Sequence, residues 1–310
     1  DLLDAEEAAE VQQAQDAEAG DGGGGAKGVD PEYQAKIKQA LVQLDSQKDK
    51  YLVPSALETY SPKFKAILES VTAADNVGPH LIYSQFRTLE GIGVLRLVFL
   101  ANGFAEFKLQ RGSDGWELAV AMEDRKKPMF VLYTGTESAE EREMVRNAFN
   151  GNWGALPPGL AAELRKIHPD NLRGEVIKLL MITASGAEGI SLKNVRYVHI
   201  TEPYWHPVRI EQVIGRARRL CSHQDLPEAE RKVDVFLYLM SLSEEQMISE
   251  NSLELRLNDK SKTDGRTPVT SDQHLYEVAS LKENIISQLL QAVREAAVDC
   301  AMQPKGKGAG

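Results

Sequence analysis

Cysteine is nearly absent. Cys221 and Cys300 are the only two in 310 residues. Two thiols build neither a disulfide framework nor a zinc quartet, and such scarcity fits a reducing compartment. No apolar run reaches membrane-spanning length, and residues 1–19 lack the basic start and hydrophobic core of a signal peptide. No Gly-x-x-x-x-Gly-Lys-Ser/Thr loop occurs anywhere. Basic charge is in deficit, the formal net charge being −10, yet the deficit is local. Residues 1–30 carry nine acids and one lysine, a balance of −8, and the remaining 280 residues stand at −2. The acidity therefore excludes no polyanionic partner; arginine clusters decide that.

What is present reads as alternating strands and helices. Residues 1–30 are rich in Ala, Glu and Gln and close on Gly22–Gly25, the composition of a disordered acidic linker. Tyr33, Ile37, Ala40, Leu41 and Leu44 recur at helical spacing, and Ser61-Pro62 starts a second helix whose inner side is Phe64, Ile67, Leu68 and Val71. After the turn at Asn76–Pro79, residues 81–86 read as a buried parallel strand and 89–100 as its helix. Residues 104–109 alternate like a strand, and 110–128 read as a surface excursion. Met129–Tyr133 is the next buried strand. It breaks at Thr134-Gly135-Thr136, either a plain strand-to-helix turn or a phosphate contact, before a helix capped by Ser138 with Glu141 three residues on. Residues 151–174 read as mostly loop, 175–182, 195–200 and 233–239 as strands, and 271–296 as a long helix with Leu275, Val278, Leu281, Ile285 and Leu289 on one side. The expected class is α/β, a mostly parallel sheet with helices on both faces plus a C-terminal helical segment.

Two stretches carry chemistry. Thr183-Ala184-Ser185-Gly186-Ala187-Glu188-Gly189-Ile190 follows a strand with two glycines that permit tight turns and leave amides accessible to an anion or a nucleic-acid backbone. One strand later comes Pro207-Val208-Arg209-Ile210-Glu211-Gln212-Val213-Ile214-Gly215-Arg216-Ala217-Arg218-Arg219. Pro207 suits a first helical turn, Ile210, Val213, Ile214 and Ala217 form an apolar stripe, and Gln212, Arg216 and Arg219 fall three or four apart on another side. That side is either a basic solvated face or an arginine fork that meets phosphate oxygens.

Together these stretches resemble motifs V and VI of superfamily 2 helicases and translocases, the second matching Gln-x-x-Gly-Arg-x-x-Arg. The segment Tyr83-Ser84-Gln85-Phe86-Arg87 sits where motif IV is expected. Glu202-Pro203-Tyr204-Trp205-His206-Pro207 and Ser222-His223 are similar to the ATPases of large nucleocytoplasmic DNA viruses, including the poxvirus-type early transcription factor and nucleoside triphosphate phosphohydrolase helicases. The resemblance covers roughly residues 56–300. It implies a RecA-like, P-loop NTPase-type helicase C-terminal lobe, the second lobe of an ATP-driven nucleic-acid motor. It implies Arg219 as an arginine finger with Arg216 beside it, Gln212 as a nucleotide sensor, and Gly189 and Glu188 as couplers of the two sites. Thr183 and Ser185, joined by Gln85 and Arg87, become contacts to a nucleic-acid backbone, DNA rather than RNA. Tyr204 and Trp205 are expected to pack their loop against the helix rather than to stack on a base.

One departure is large. The nucleotide-binding lysine and the Asp-Glu pair that holds Mg2+ in the first lobe of such motors are missing, so ATP and Mg2+ are expected to be held mainly by an N-terminal RecA-like lobe outside this sequence. The expectation drawn from those missing groups is the C-terminal half of a longer protein, with residues 1–30 inherited from an interlobe linker. Its expected organisation is a linker (1–30), a helical lead-in (31–79), the RecA-like lobe (80–240), a helical extension (241–303) and a basic tail (304–310). RNA polymerase or transcription factors are further implied partners, with no membrane, in the cytoplasm of a host cell or a virion. The competing reading is a catalytically inactive DNA-binding or scaffold subunit of a viral transcription complex.

Overall fold

A computed structural model describes residues 31–89, 91–112, 115–135, 137–184, 186, 189–248 and 270–296. They fall into two compact units. The first holds the described residues up to Glu202 together with Val213–Tyr238, and the second holds Pro203–Gln212 and those from Leu239 onward. The expectations for residues 1–30 and 304–310 lie outside the described residues.

In the first unit, helices α1 (Pro31–Ser46), α2 (Lys48–Tyr51), α3 (Pro54–Tyr60) and α4 (Pro62–Thr72) lead into β1 (His80–Tyr83). Then follow α5 (Ile92–Ala101), β2 (Ala105–Glu106), β3 (Leu109–Gly112), β4 (Gly115–Leu118), β5 (Met129–Tyr133), α6 (Ala139–Phe149), α7 (Pro158–Ile167), β6 (Ile177–Ile182) and β7 (Tyr197–Ile200). The helix α8 (Pro207–Ala217) begins among the residues of the second unit and ends in the first, which closes with β8 (Asp234–Leu237).

Six strands form one parallel sheet in the order β2-β5-β6-β1-β7-β8. Continuous burial of His80–Tyr83 and Tyr197–Ile200 is what a strand covered on both faces requires. Side-chain alternation then sorts β6. Leu179 and Met181 join a core with Phe64, Ile67, Val71, Leu95, Phe99 and Phe130, while Leu180 and Ile182, equally buried, face the other side, where α6 packs on β6.

Four local expectations change. The strand expected over 104–109 shortens to β2, and the surface excursion after it contains the hairpin β3–β4, with Arg111 opposite Trp116 and Gly112 opposite Gly115 at φ +114°. The loop expected over 151–174 contains α7. Pro158 is its first helical residue, where a missing N–H costs nothing, and Leu160, Ala161 and Leu164 are buried. The first strand and its helix are both shorter than read, leaving an eight-residue turn, 84–91, between β1 and α5. Finally, Arg219 is not on the helix with Gln212 and Arg216. α8 ends at Ala217 because Ser222 Oγ lies 3.1 Å from the Ala217 carbonyl and 2.8 Å from that of Arg219, and Cys221 turns the chain at φ +61°.

In the second unit, α9 (Glu244–Ile248) and α10 (Ser271–Ala296) are the described helices after Leu239. Residues 249–269 and 297–303 of the expected helical extension lie outside the described residues. Among the described residues no helix is long and apolar enough to cross a membrane.

Candidate helicase-type site

Parallel strands deliver their C-terminal ends to one rim. Tyr83 is in register with both Ile182 and Ile200, and Ile182 with Tyr133, so Ser84, Thr134, Thr183 and Thr201 each leave the sheet at the same level. Such a rim is where open α/β sheets place ligands. Here it is braced by hydrogen bonds between neighbouring strands. Ser84 N–H donates to the Ile182 carbonyl (3.2 Å), Thr183 Oγ1 donates to the Thr134 carbonyl (3.1 Å), and both N–H and hydroxyl of Thr201 donate to the Tyr83 carbonyl (3.0 and 2.8 Å).

Thr183, Gln85 and Arg87 share this rim. Thr183 is 5% exposed, and its hydroxyl donates to the Thr134 carbonyl. Gln85 and Arg87 are partly buried in the 84–91 turn. The amides of Ile92 and Gly93 hold that turn through the carbonyls of Phe86 (2.9 Å) and Arg87 (2.8 Å). Gly186 is needed for close approach, since a Cβ there would stand 1.9 Å from the Tyr133 carbonyl oxygen. Gly189 has φ +70° with open space around it, so its requirement is conformational. Ser185 and Glu188 lie outside the described residues.

The Thr134–Gly135 turn resolves as a plain strand-to-helix turn. Glu137 Oε1 accepts from Thr134 N–H (3.0 Å) and Oε2 from Gly135 N–H (2.9 Å), so an internal carboxylate occupies the amides that a phosphate would need. Ser138 Oγ then accepts from Glu141 N–H at 3.2 Å, capping α6. A shallow groove of about 230 Å3 beside it is lined by Tyr133, Ala139, Arg142, Glu143 and Arg146. Its charge is mixed: Arg146 reaches Glu143 at 3.4 Å, while Arg142 Nε is buried without a hydrogen-bond partner among the described residues.

The arginines lie elsewhere. His223 Nε2 is 2.7 Å from the Val195 carbonyl, and Asn194 N–H donates to the Ser222 carbonyl (2.9 Å). The segment after α8 is thereby tied to the start of β7, the end opposite Thr201. Arg216 is partly buried and its Nε is a buried donor with no hydrogen-bond partner among the described residues, while Arg218 and Arg219 are exposed. Gln212 is exposed on α8. Val213, Ile214 and Ala217 are the buried stripe that the spacing predicts.

In the second unit, Arg209 covers the Tyr204 ring at 4.3 Å, and Lys282 of α10 covers the Trp205 ring at 3.8 Å while donating to its carbonyl at 3.2 Å. Cation–π contacts of this kind hold the loop.

Glu202 and Ser84 were not singled out by sequence reasoning. Glu202 is 8% exposed, and its carboxylate accepts from Ser84 Oγ (2.8 Å) and Gln85 N–H (3.1 Å). Burial pushes its carboxyl above the usual carboxylate range, against the pull of hydrogen bonds from Thr201, Ser84 and Gln85 and the charge of Lys63. The signal available was an acid placed two residues after a fully buried strand.

Residues 116–221, which include β5–β7, Thr183 and all three arginines of the α8 terminus, match the helicase conserved C-terminal domain. This chain carries a helicase C-terminal domain. Its parallel sheet is that of a RecA-like helicase C-terminal lobe. A protein of Acanthamoeba polyphaga mimivirus, named as a candidate ATP-dependent RNA helicase, is 32% identical over 78% of this chain and 24% of its own length. The termination factor NPH-I homolog of African swine fever virus (a Kenyan pig isolate) is 30% identical over 86% of this chain and 35% of its own. A solved structure, the C-terminal part of the Fun30 ATPase domain, is 14% identical with a TM-score of 0.39, over 84% of this chain and 70% of that one. The helicase-domain chain thus spans between about a quarter and a third of the length of these viral relatives.

Proposed function

We propose that this chain is the second lobe of an ATP-dependent nucleic-acid translocase or helicase. Arg219, with Arg216 beside it, reaches the γ-phosphate of an ATP bound, with Mg2+, on an N-terminal RecA-like lobe in the same parent protein or another chain. The observation that carries this reading is the end of α8, where a buried guanidinium Nε without a partner among the described residues adjoins an exposed arginine, inside the matched domain. ATP supplies the phosphoanhydride bond whose cleavage drives movement. Arg219 stabilises charge as it spreads over the transferred phosphoryl oxygens, and only when the two lobes are closed. Gln212 orients the nucleotide, and Gly189 and Glu188 couple it to the rim. There Thr183, Ser185, Gln85 and Arg87 contact the nucleic-acid backbone without reading sequence.

DNA is the proposed track, in the transcription machinery of a virus, in the host cytoplasm or virion, with RNA polymerase or transcription factors as partners. The name of the African swine fever virus relative, a termination factor, supports the transcription setting. The mimivirus relative's name speaks for RNA, so the test carries both polymers. A second reading, an inactive binding subunit, is favoured by the absence of a Gly-x-x-x-x-Gly-Lys-Ser/Thr loop from these 310 residues. The deciding experiment is nucleic-acid-stimulated ATP hydrolysis by the two-lobed parent with Arg219→Ala and Arg219→Lys. Turnover falling by roughly 10³ with nucleotide affinity nearly kept supports the finger. Near-normal turnover in Arg219→Ala refutes it.

A further inference from the structure

The turn that carries Gln85 and Arg87 is held from below by a side chain that no part of the proposed chemistry uses. Glu202 leaves the C-terminal end of β7 and turns under the neighbouring strand end, where its two oxygens take separate partners: Oε1 the hydroxyl of Ser84 at 2.8 Å, Oε2 the backbone N–H of Gln85 at 3.1 Å. Ser84 passes the constraint on, because its Oγ also accepts from Phe86 N–H at 3.1 Å. On the far side of the turn Gly91 lies so close that a Cβ would stand 1.9 Å from the Phe86 carbonyl oxygen and 2.4 Å from Ser84 Oγ. The segment is thus pinned at both ends, and Ser84 and Glu202 are both buried. A carboxylate at this depth is costly to desolvate. The bonds from Ser84 and Gln85 compensate through charge assistance, neither donor being a cation, and Thr201 and the charge of Lys63 add to them.

We propose that Glu202 is a positioning residue: it fixes the Ser84–Phe86 backbone so that Gln85 and Arg87 are presented to the nucleic-acid backbone in one geometry. This rests on the reading of the rim as a nucleic-acid contact. It makes a prediction with an unusual sign. A carboxylate near a phosphate track that acted only through its charge would repel the ligand, so its neutralisation would tighten binding. A positioning carboxylate does the reverse. In Glu202→Gln one oxygen becomes an NH2 group, which cannot accept from both Ser84 Oγ–H and Gln85 N–H, and the turn loosens.

The test uses the whole 310-residue chain and a fluorescein-labelled 20-nucleotide single-stranded DNA, with the same sequence in RNA, titrated at several salt concentrations. Glu202→Gln and Ser84→Ala are each expected to weaken binding about tenfold and, combined, to weaken it little further, as two ends of one bond do. Their salt slope should match the wild type, since no phosphate-contacting cation is lost. Arg87→Ala should weaken binding and flatten the slope by about 0.7, the loss of one phosphate contact on a single strand. Hydrogen exchange without nucleic acid supplies the independent arm. In Glu202→Gln the amides of Gln85 and Phe86 should exchange at least about tenfold faster while β1 and β7 keep their protection.

Unchanged exchange at Gln85 and Phe86 overturns the clamp. Faster exchange with unchanged or tighter binding overturns the positioning role while leaving the rim intact. Wild-type binding that is undetectable at low salt, or a wild-type affinity indifferent to Arg87→Ala, overturns the reading of the rim and the inference with it.

Discussion

Acid should unfold this protein earlier than its carboxylates alone would require, because of two histidines at the centre of the sheet. His80 of β1 sits between Leu179 and Tyr197 in the sheet register, and His199 of β7 between Ile82 and Phe236, both at 0% exposure. His80 Nδ1 lies 3.0 Å from His199 Nε2, and His199 Nδ1 lies 2.8 Å from the Tyr238 hydroxyl. Tyr238 is held neutral, its hydroxyl pushed up to about 12 by burial. With Tyr238 O–H donating to His199 Nδ1 and His199 Nε2–H donating to His80 Nδ1, each accepting nitrogen does so only while its ring is neutral, and among the described residues His80 Nε2 is buried without a hydrogen-bond partner. Burial lowers His199 from 6.5 to about 3. Burial, then the charge of His199 and that of Lys178, lower His80 in the same direction. A histidine depressed in the fold binds fewer protons folded than unfolded, so stability is lost as pH falls below the unfolded value of 6.5. Between pH 7 and 5, His199 alone costs about 2 kcal/mol, and His80 adds a loss of the same sign. Against a typical 5–15 kcal/mol this is a large fraction. Glu202 works the other way, since a carboxyl raised in the fold gains stability on acidification. The histidine effect is therefore read as a difference. Urea unfolding at pH 7, 6 and 5 should show the wild type losing at least about 2 kcal/mol more than His80→Gln/His199→Gln, whatever the double variant's absolute stability. An equal pH slope in the two proteins would refute the reasoning, because it would place the missing proton uptake on other groups.

Other outcomes follow from single contacts. Asn171→Ala should cost at least about 3 kcal/mol in urea unfolding, because its side chain serves the Phe149 and Ile177 carbonyls and the Val176 and Ile177 amides, all buried. Gly186→Ala should destabilise by about 1–3 kcal/mol, read by thermal unfolding, since its Cβ has no room against the Tyr133 carbonyl oxygen. Gly189→Ala should cost less, strain alone opposing it. Arg219→Ala should leave the thermal midpoint nearly unchanged, as its side chain is exposed, and a large drop would assign it a structural task instead.

The elements legible from sequence are those whose burial leaves a periodic trace. β5 and β6 are apolar runs with both faces covered, and α4 shows Phe64, Ile67, Leu68 and Val71 at the spacing that the structure buries. Misread elements had a different physical cause in each case. Pro157-Pro158 resembles a loop, yet Pro158 begins α7, and only the apolar spacing of Leu160, Ala161 and Leu164 argued against a loop. The β3–β4 hairpin is short and largely exposed, held by pairs such as Arg111 over the Trp116 ring at 5.2 Å, so it leaves no apolar alternation. β8 lies at an edge, with Val235 and Phe236 partly open to solvent.

The site divides along the same line. Glycines and arginines with fixed spacing are visible in a string of letters, which is why the turn after β6 and the end of α8 stand out. Their placement is not visible. Helical spacing carries Arg219 onto α8, but a serine five residues beyond Ala217 takes the last carbonyls and stops the helix first. The Thr134–Gly135 turn looks open to an anion in sequence, but Glu137, two residues on, already fills it. Glu202 is the extreme case. It is 118 residues from Ser84 and becomes its partner only because β1 and β7 are neighbours in the sheet although two-thirds of the domain separates them in the chain. A crossover topology hides such residues from any local reading. It also explains why the braces of the rim, rather than its outward-facing contacts, are where structure adds most to sequence: a contact needs a residue type, while a brace needs two strands to meet.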